Sequence, residues 1–351
     1  MSASQSEIHH MKFLITTLLT FCFTCNILAQ QDVPEKINDW LREENVPAIG
    51  IGLIKGGSLE MARVFGELEA GTPAPDQTIF NVASLTKPIV AVLTLQLVTD
   101  GQWDLDEPLA RYWTDPDIAD DPLTQKLTTR HVLSHQTGFK NWRRMYDDQK
   151  LAFEFEPGTK FQYSGEGYEY LRRALKNKFG KTLDQLVADH LFQAYGMEDS
   201  RLIWDADMAD QPFATGHNVE GVAYETFKRE NANAADDLLV SVEDYCRFVM
   251  GVMQKEGLSD AVFADMVSPQ VQANDRVAFG LGWMIIPDLS DGSYALMHTG
   301  GDQGVRAIAI LFPQSQDGIV LFTNGDNGVS VMAKVMGAIF EKGGEVLSVL
   351  N

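Results

Sequence analysis

Ser84 and Lys87 stand one helical turn apart in the stretch Phe80-Asn81-Val82-Ala83-Ser84-Leu85-Thr86-Lys87. Residues three apart on a helix share a face, so the Lys87 amine can reach the Ser84 hydroxyl. A serine hydroxyl attacks poorly until a neighbouring base takes its proton, and this spacing supplies that neighbour. From Pro88 to Val98 the chain is apolar almost all round, and Gly101 follows as a helix stop. The reading is a buried central helix with Ser84 at its N-terminus. There, free N–H groups and the positive end of the helix dipole would stabilise an oxyanion forming on a substrate. The spacing alone decides little. A chain of this length holds S-x-x-K about once by chance, and Ser84 is the one serine with lysine three residues on.

Two further stretches carry chemistry. Tyr163 follows the Pro157-Gly158 turn on a loop, where a phenol oxygen near Ser84 and Lys87 would carry a proton between nucleophile and leaving group. Taken singly, a packed aromatic is the plainer account. His298-Thr299-Gly300-Gly301 ends a strand, where glycines admit a substrate to the backbone and an open edge can bind a peptide by β-addition. Taken singly, a turn explains both glycines.

Rival chemistries have less support. His131 and His135 have the spacing of zinc ligands on a helix, but no Glu follows His131 and no third ligand is evident, so both read as structural. Asp115, Asp117, Asp120 and Asp121 lack the central glycine and distal glutamate of a calcium loop, and read as solvated. No G-x-S-x-G occurs. Glu166 could act on a deacylating water, though a surface carboxylate is the simpler reading. Cys246, among Val242, Tyr245, Val249 and Val252, reads as core.

The elements that must position these groups follow in order. A short helix spans residues 33–45, and a β-hairpin turns at Gly56-Gly57. Then come the organising helix and a run of helices and polar loops to about residue 230. Strands return at 279–286, 293–299, 305–312 and 318–323, and a helix at 331–341 closes the chain. This predicts an α+β fold. One antiparallel sheet is built from N- and C-terminal segments and flanked by helices, with a mostly helical lobe inserted. The sheet lobe covers about 33–80 and 236–351, the helical lobe about 81–235, together one domain over 30–351. A cleft between lobes is the natural place for a site.

With 351 residues and 45% apolar content the chain can fill a core. A net charge of −21 argues against nucleic acid or an anionic membrane as partner. Residues 1–10 read as an upstream extension and 11–29 as a signal peptide cleaved after Ala29, which would remove Cys22 and Cys25 and leave Cys246 alone. The expectation is an exported protein, periplasmic or secreted, with no stable membrane insertion after cleavage.

The ordered triplet of S-x-x-K at Ser84, Y-S-x at Tyr163 and H-T-G at His298 resembles the serine β-lactamase and penicillin-binding protein superfamily. The likeness is to its class C, D,D-carboxypeptidase, D-aminopeptidase and esterase branch. Leu133-Ser134-His135-Gln136-Thr137-Gly138, Gly280-Leu281-Gly282-Trp283 and Thr323-Asn324 extend the likeness over roughly residues 33–341. The resemblance implies an acyl-enzyme on Ser84, proton work shared by Lys87 and Tyr163, an oxyanion hole from the N–H groups of Ser84 and Gly301, and substrate binding by His298, Thr299 and Gly300. It implies no metal and no cofactor. His298 stands where many relatives carry lysine, and its charge would be conditional. Gly165 replaces the asparagine of Y-x-N and removes a side-chain amide that would hold a substrate amide. The substrate expected is a small ester or a D-amino-acid amide or peptide. The alternatives are β-lactamase or D,D-carboxypeptidase activity on cell-wall-type substrates, or a non-catalytic cell-wall-peptide binding protein.

Overall fold

The structure is a computed structural model that describes residues 33–350. The predicted leader, with Cys22 and Cys25, lies outside them. The chain opens with helix α1 (33–43) and the hairpin β1 (Ala48–Lys55) and β2 (Ser58–Glu69), extended by β3 (Thr72–Pro73). Gly56 and Gly57 both hold positive φ at the hairpin turn, backbone that a Cβ would penalise. A short strand β4 (Phe80–Asn81) leads into α2 (Thr86–Thr99). Helices α3 (Thr129–Leu133), α4 (Gly165–Phe179), α5 (Leu183–Val187) and α6 (Gln193–Tyr195) follow. Then β5 (Leu239–Val240) pairs with β4, ahead of α7 (Val242–Met253) and α8 (Asp260–Met266). The strands β6 (Val271–Gln272), β7 (Ala278–Phe279), β8 (Met284–Ile286), β9 (Ala295–Asp302), β10 (Val305–Phe312) and β11 (Asp317–Thr323) precede α9 (Gly328–Ile339) and α10 (Gly343–Leu350).

Nine strands make one antiparallel sheet in the order β3-β2-β1-β11-β10-β9-β8-β7-β6. An early and a late segment of the described residues therefore pair within it as the third and fourth strands, with Ile49 opposite Thr323. Side chains alternate across it with period two. Ile49, Ile51, Ile308, Ile310, Ile319 and Leu321 pack on α1, α9 and α10, while Ala307, Ala309, Val320 and Phe322 share the larger core with α2, α4 and α7. Every residue of α2 from Ile89 to Leu97 is buried, as an all-round apolar helix requires. The α+β class and the antiparallel sheet are as expected.

Local differences have local causes. The strand expected over 279–286 is two strands, because Gly280-Leu281-Gly282-Trp283 turns the chain: Gly280 N donates to Trp283 O and Gly282 N to Leu133 O. Helix α4 starts at Gly165 because Ser164 caps it, its Oγ accepting from Gly167 N at 3.0 Å. Asp115 and Asp117 are not a wholly solvated loop, and Glu166 is not a surface carboxylate. All three pair with Arg143, and Asp115 and Glu166 are buried. Cys246 is buried, and its thiol is pushed up in pKa by burial. Among the described residues, no helix is long and apolar enough to cross a membrane.

Candidate active site

Ser84 lies in a single 3₁₀ turn, Ala83–Leu85, between β4 and α2. Ala83 holds φ +46°, a left-handed backbone that costs a non-glycine residue of order 1–3 kcal/mol and persists only where its surroundings impose it. Asn81 Oδ1 accepts from Ala83 N at 2.8 Å, and Asn81 Nδ2 donates to Asp237 Oδ1 at 3.0 Å. Thr86 Oγ1 donates to Ala83 O at 2.7 Å and accepts from Leu238 N at 2.9 Å. Asp237 is in turn paired with Arg229. The stretch 235–240 thus braces the turn from one side. Lys87 is fully buried, and its Nζ donates to Ser84 Oγ at 3.0 Å and to Ala235 O at 2.7 Å. Such an amine is in place to exchange a proton with the hydroxyl.

On the other side β9 passes very close. A Cβ on Gly300 would lie 2.1 Å from Val82 O and 3.3 Å from Ser84 N, so only glycine permits the approach. Strand β10 pairs with β9 through Asp302, whereas β8 covers only Ala295 to Met297. The outer edge of residues 298–302 carries no strand of the described chain, which leaves it open for an extended substrate. Thr299 and Gly301 are exposed and His298 is buried.

His298 Nδ1 donates to Thr299 O at 2.8 Å, so Nε2 bears the lone pair, buried and with no hydrogen-bond partner. Burial, then the nearby Lys87, pushes its pKa down to about 3. The ring is therefore neutral near pH 7. The charge expected to be conditional is absent, and this histidine does not replace a lysine's positive charge.

Tyr163 is half-buried. The Lys87 nitrogen lies 4.8 Å from its ring centroid, the His135 ring 4.2 Å and the His298 ring 6.2 Å. The fold thus gathers Ser84, Lys87, Tyr163 and His298, with Thr299, Gly300 and Gly301 on the strand beside them. A Cβ on Gly165 would meet the Trp142 indole at 2.8 Å, so an aromatic ring fills the space an asparagine would need. Glu166 accepts from the Arg143 backbone and guanidinium, which takes it out of competition for a water.

Sequence reasoning missed Asn81, Asp237 and the Ala235 carbonyl, since only the fold brings them together. It also missed an acidic wall: carboxylate oxygens of Asp236, Asp237 and Asp302 lie within 4.8 Å of one another. Burial and the neighbouring Asp237 raise the pKa of Asp236 against the pull of Lys87.

A family model described as Beta-lactamase matches residues 30–341. The chain belongs to the beta-lactamase family. Within this family it is similar to Esterase EstB of Burkholderia gladioli, at 30% identity over 45% of this chain and 48% of the esterase. It is also similar to Penicillin-binding protein 4* of Bacillus subtilis, at 22% identity over 77% of this chain and 66% of that protein. Lovastatin esterase of Penicillium rubens is 25% identical over 60% of this chain and 66% of that enzyme. The chain thus spans from about half to just under two thirds of the length of these relatives. Among solved structures, the octameric penicillin-binding protein homologue from Pyrococcus abyssi shares the fold with a TM-score of 0.74 at 21% identity, over 85% of this chain and 74% of that one. The penicillin binding protein from Bacillus halodurans gives 0.72 at 21%, over 86% and 99%.

Proposed function

We propose that the protein is an exported serine hydrolase that cleaves small esters through an acyl-enzyme on Ser84, without a metal. The observation that carries this is the 3.0 Å contact from Lys87 Nζ to Ser84 Oγ, set in a beta-lactamase-family fold beside Tyr163. Ser84 Oγ attacks the ester carbonyl carbon while its proton passes to the Lys87–Tyr163 pair. The oxyanion collects at the N–H groups of Ser84 and Gly301. Collapse of the tetrahedral intermediate breaks the bond to the alcohol, which leaves with that proton. Water then attacks the acyl carbon and gives a proton to the same pair; the bond from the acyl carbon to Ser84 Oγ breaks, Oγ takes that proton, and the acid leaves. His298, Thr299 and Gly300 form the strand wall along which the substrate lies. The catalytic domain is taken as residues 30–351, in the class C-like branch.

Esters are favoured over amides and β-lactams for two reasons. An alkoxide leaves more readily than an amide nitrogen, and the site at Gly165 offers no side-chain amide to hold a substrate amide. The likeness to two esterases agrees with this. A second reading, a D-amino-acid amide or peptide, draws on the acidic wall of Asp236, Asp237 and Asp302, which would attract a free substrate ammonium.

The test is the hydrolysis of p-nitrophenyl acetate and butyrate by the mature protein, beside Ser84→Ala, with and without a chelator. The parent is expected to turn over unaffected by the chelator, and the variant to lose three orders of magnitude or more, roughly as other nucleophile deletions do. Equal turnover in Ser84→Ala would sink the mechanism, and loss of activity in chelator would refute metal independence.

A further inference from the structure

His135 was read as a structural histidine, but its contacts are unusual for one. It follows α3 by two residues, holds φ +57° and is wholly buried. Its two satisfied acceptors serve the two neighbours of Tyr163. The His135 carbonyl accepts from Gln162 N at 2.8 Å, and the imidazole Nδ1 accepts from Ser164 N at 3.1 Å. Between those bonds the imidazole lies against the Tyr163 ring, 4.2 Å between centroids and 32° between planes. The bond from Ser164 N requires a lone pair on Nδ1, so the neutral ring carries its hydrogen on Nε2. That Nε2 is buried and has no hydrogen-bond partner. A histidine kept only to fill the core would not need its bonds spent on the flanks of one tyrosine. Phe279 meets the imidazole edge-on at 4.8 Å and Tyr168 lies 5.5 Å away, so the ring has no room to swing.

We infer that His135 is a positioning residue for Tyr163: it clamps the chain on both sides of that tyrosine and gives its ring a platform, so fixing the phenol relative to Ser84 and Lys87. The inference rests on the acyl-enzyme reading, and it names a residue that never touches the substrate. Its effect should fall on the acylation step, since a catalytic group displaced by about an ångström costs up to roughly a hundredfold in rate.

The experiment is a double-mutant cycle on pre-steady-state acylation by p-nitrophenyl butyrate, with thermal melts of each protein. Asparagine tolerates the left-handed backbone, and its Oδ1 falls close to the place of Nδ1, so His135→Asn keeps the clamp and removes the platform. The expected result is a folded variant whose acylation rate falls about ten- to a hundredfold with the substrate dissociation constant little changed. In a Tyr163→Phe background the same change should add almost nothing, because the two residues act as one unit. A folded His135→Asn that acylates like the parent overturns the inference, as does an equal loss in both backgrounds. If His135→Asn does not fold, His135→Gln is carried through the same cycle against the same two outcomes. A parent that releases p-nitrophenol no faster than Ser84→Ala refutes the acyl-enzyme reading and this inference with it. A parent whose release depends on Ser84 while the cycle is additive refutes only the role of His135.

Discussion

The missing Cβ at Gly300 decides how close β9 comes to Ser84. Gly300→Ala should push the strand off Val82 O and Ser84 N, costing about 1–3 kcal/mol by overpacking and slowing acylation more than it raises KM. Thermal melts and ester kinetics would show it, and a variant with parental kinetics would refute the close approach. Gly165→Asn is expected to displace Trp142 and to destabilise the fold without adding amidase activity. Activity that rises with pH through the usual histidine range and loses that limb in His298→Asn would contradict the neutral ring, whose pKa is held at about 3. The profile of kcat/KM between pH 5 and 8 should carry no such limb. Ser84 and Lys87 were legible because their relation is local, three residues on one helical turn. Tyr163 and His298 were legible by motif alone. Asn81 and Asp237 were not, because their bond joins residues 156 apart and no period or spacing encodes it. The charge state of His298 was also beyond the sequence, since it is set by burial and by Lys87 rather than by residue type.

Among the elements, the pair β4 and β5 with the 235–240 stretch does for the Ser84 turn what no single helix cap does. It imposes the left-handed Ala83 through Asn81 and holds Lys87 through Ala235 O. Asn81→Ala removes the acceptor for Ala83 N and leaves Asp237 one partner short. The expected cost is about 1–3 kcal/mol for the orphaned buried groups, with a fall in kcat as the turn relaxes. A denaturant melt beside single-turnover acylation would measure both, and a variant unchanged in each would refute the brace. The hairpin of β1 and β2, the strands β10 and β11, and α2 were readable from alternation and apolar runs. Strands of two residues such as β4 and β5 carry too little pattern to be read. The break between β7 and β8 was missed because an apolar dipeptide and an apolar tripeptide around a Gly-Leu-Gly-Trp turn look like one strand.

Over the whole molecule, His135 and His298 are buried and neutral, with proton affinities pushed down by burial first and then by Lys87. The unfolded chain protonates its histidines near their ordinary value of about 6.5. As pH falls from there toward 3, the unfolded state takes up a proton that the folded His298 does not, and stability is lost by up to about 1.4 kcal/mol per unit; His135 acts in the same sense. Asp236 and Asp244, whose carboxyls hold protons more tightly when folded, act in the opposite sense. The discriminating quantity is therefore the difference between parent and His298→Asn. Between pH 7.5 and 4.5 the parent's Tm should fall more steeply, and parallel curves would refute the assignment.

The pairing of β1 with β11, which joins an early and a late segment inside one sheet, bears on the birth of the protein. A nascent chain exposes Ser84 and Lys87 long before the ribosome has made Gly300, Gly301 or the strand that closes the sheet. Until then the serine faces no strand edge and lacks the oxyanion donor that Gly301 would supply. An unfinished chain therefore holds Ser84 and Lys87 without the strand wall that the fold later brings beside them.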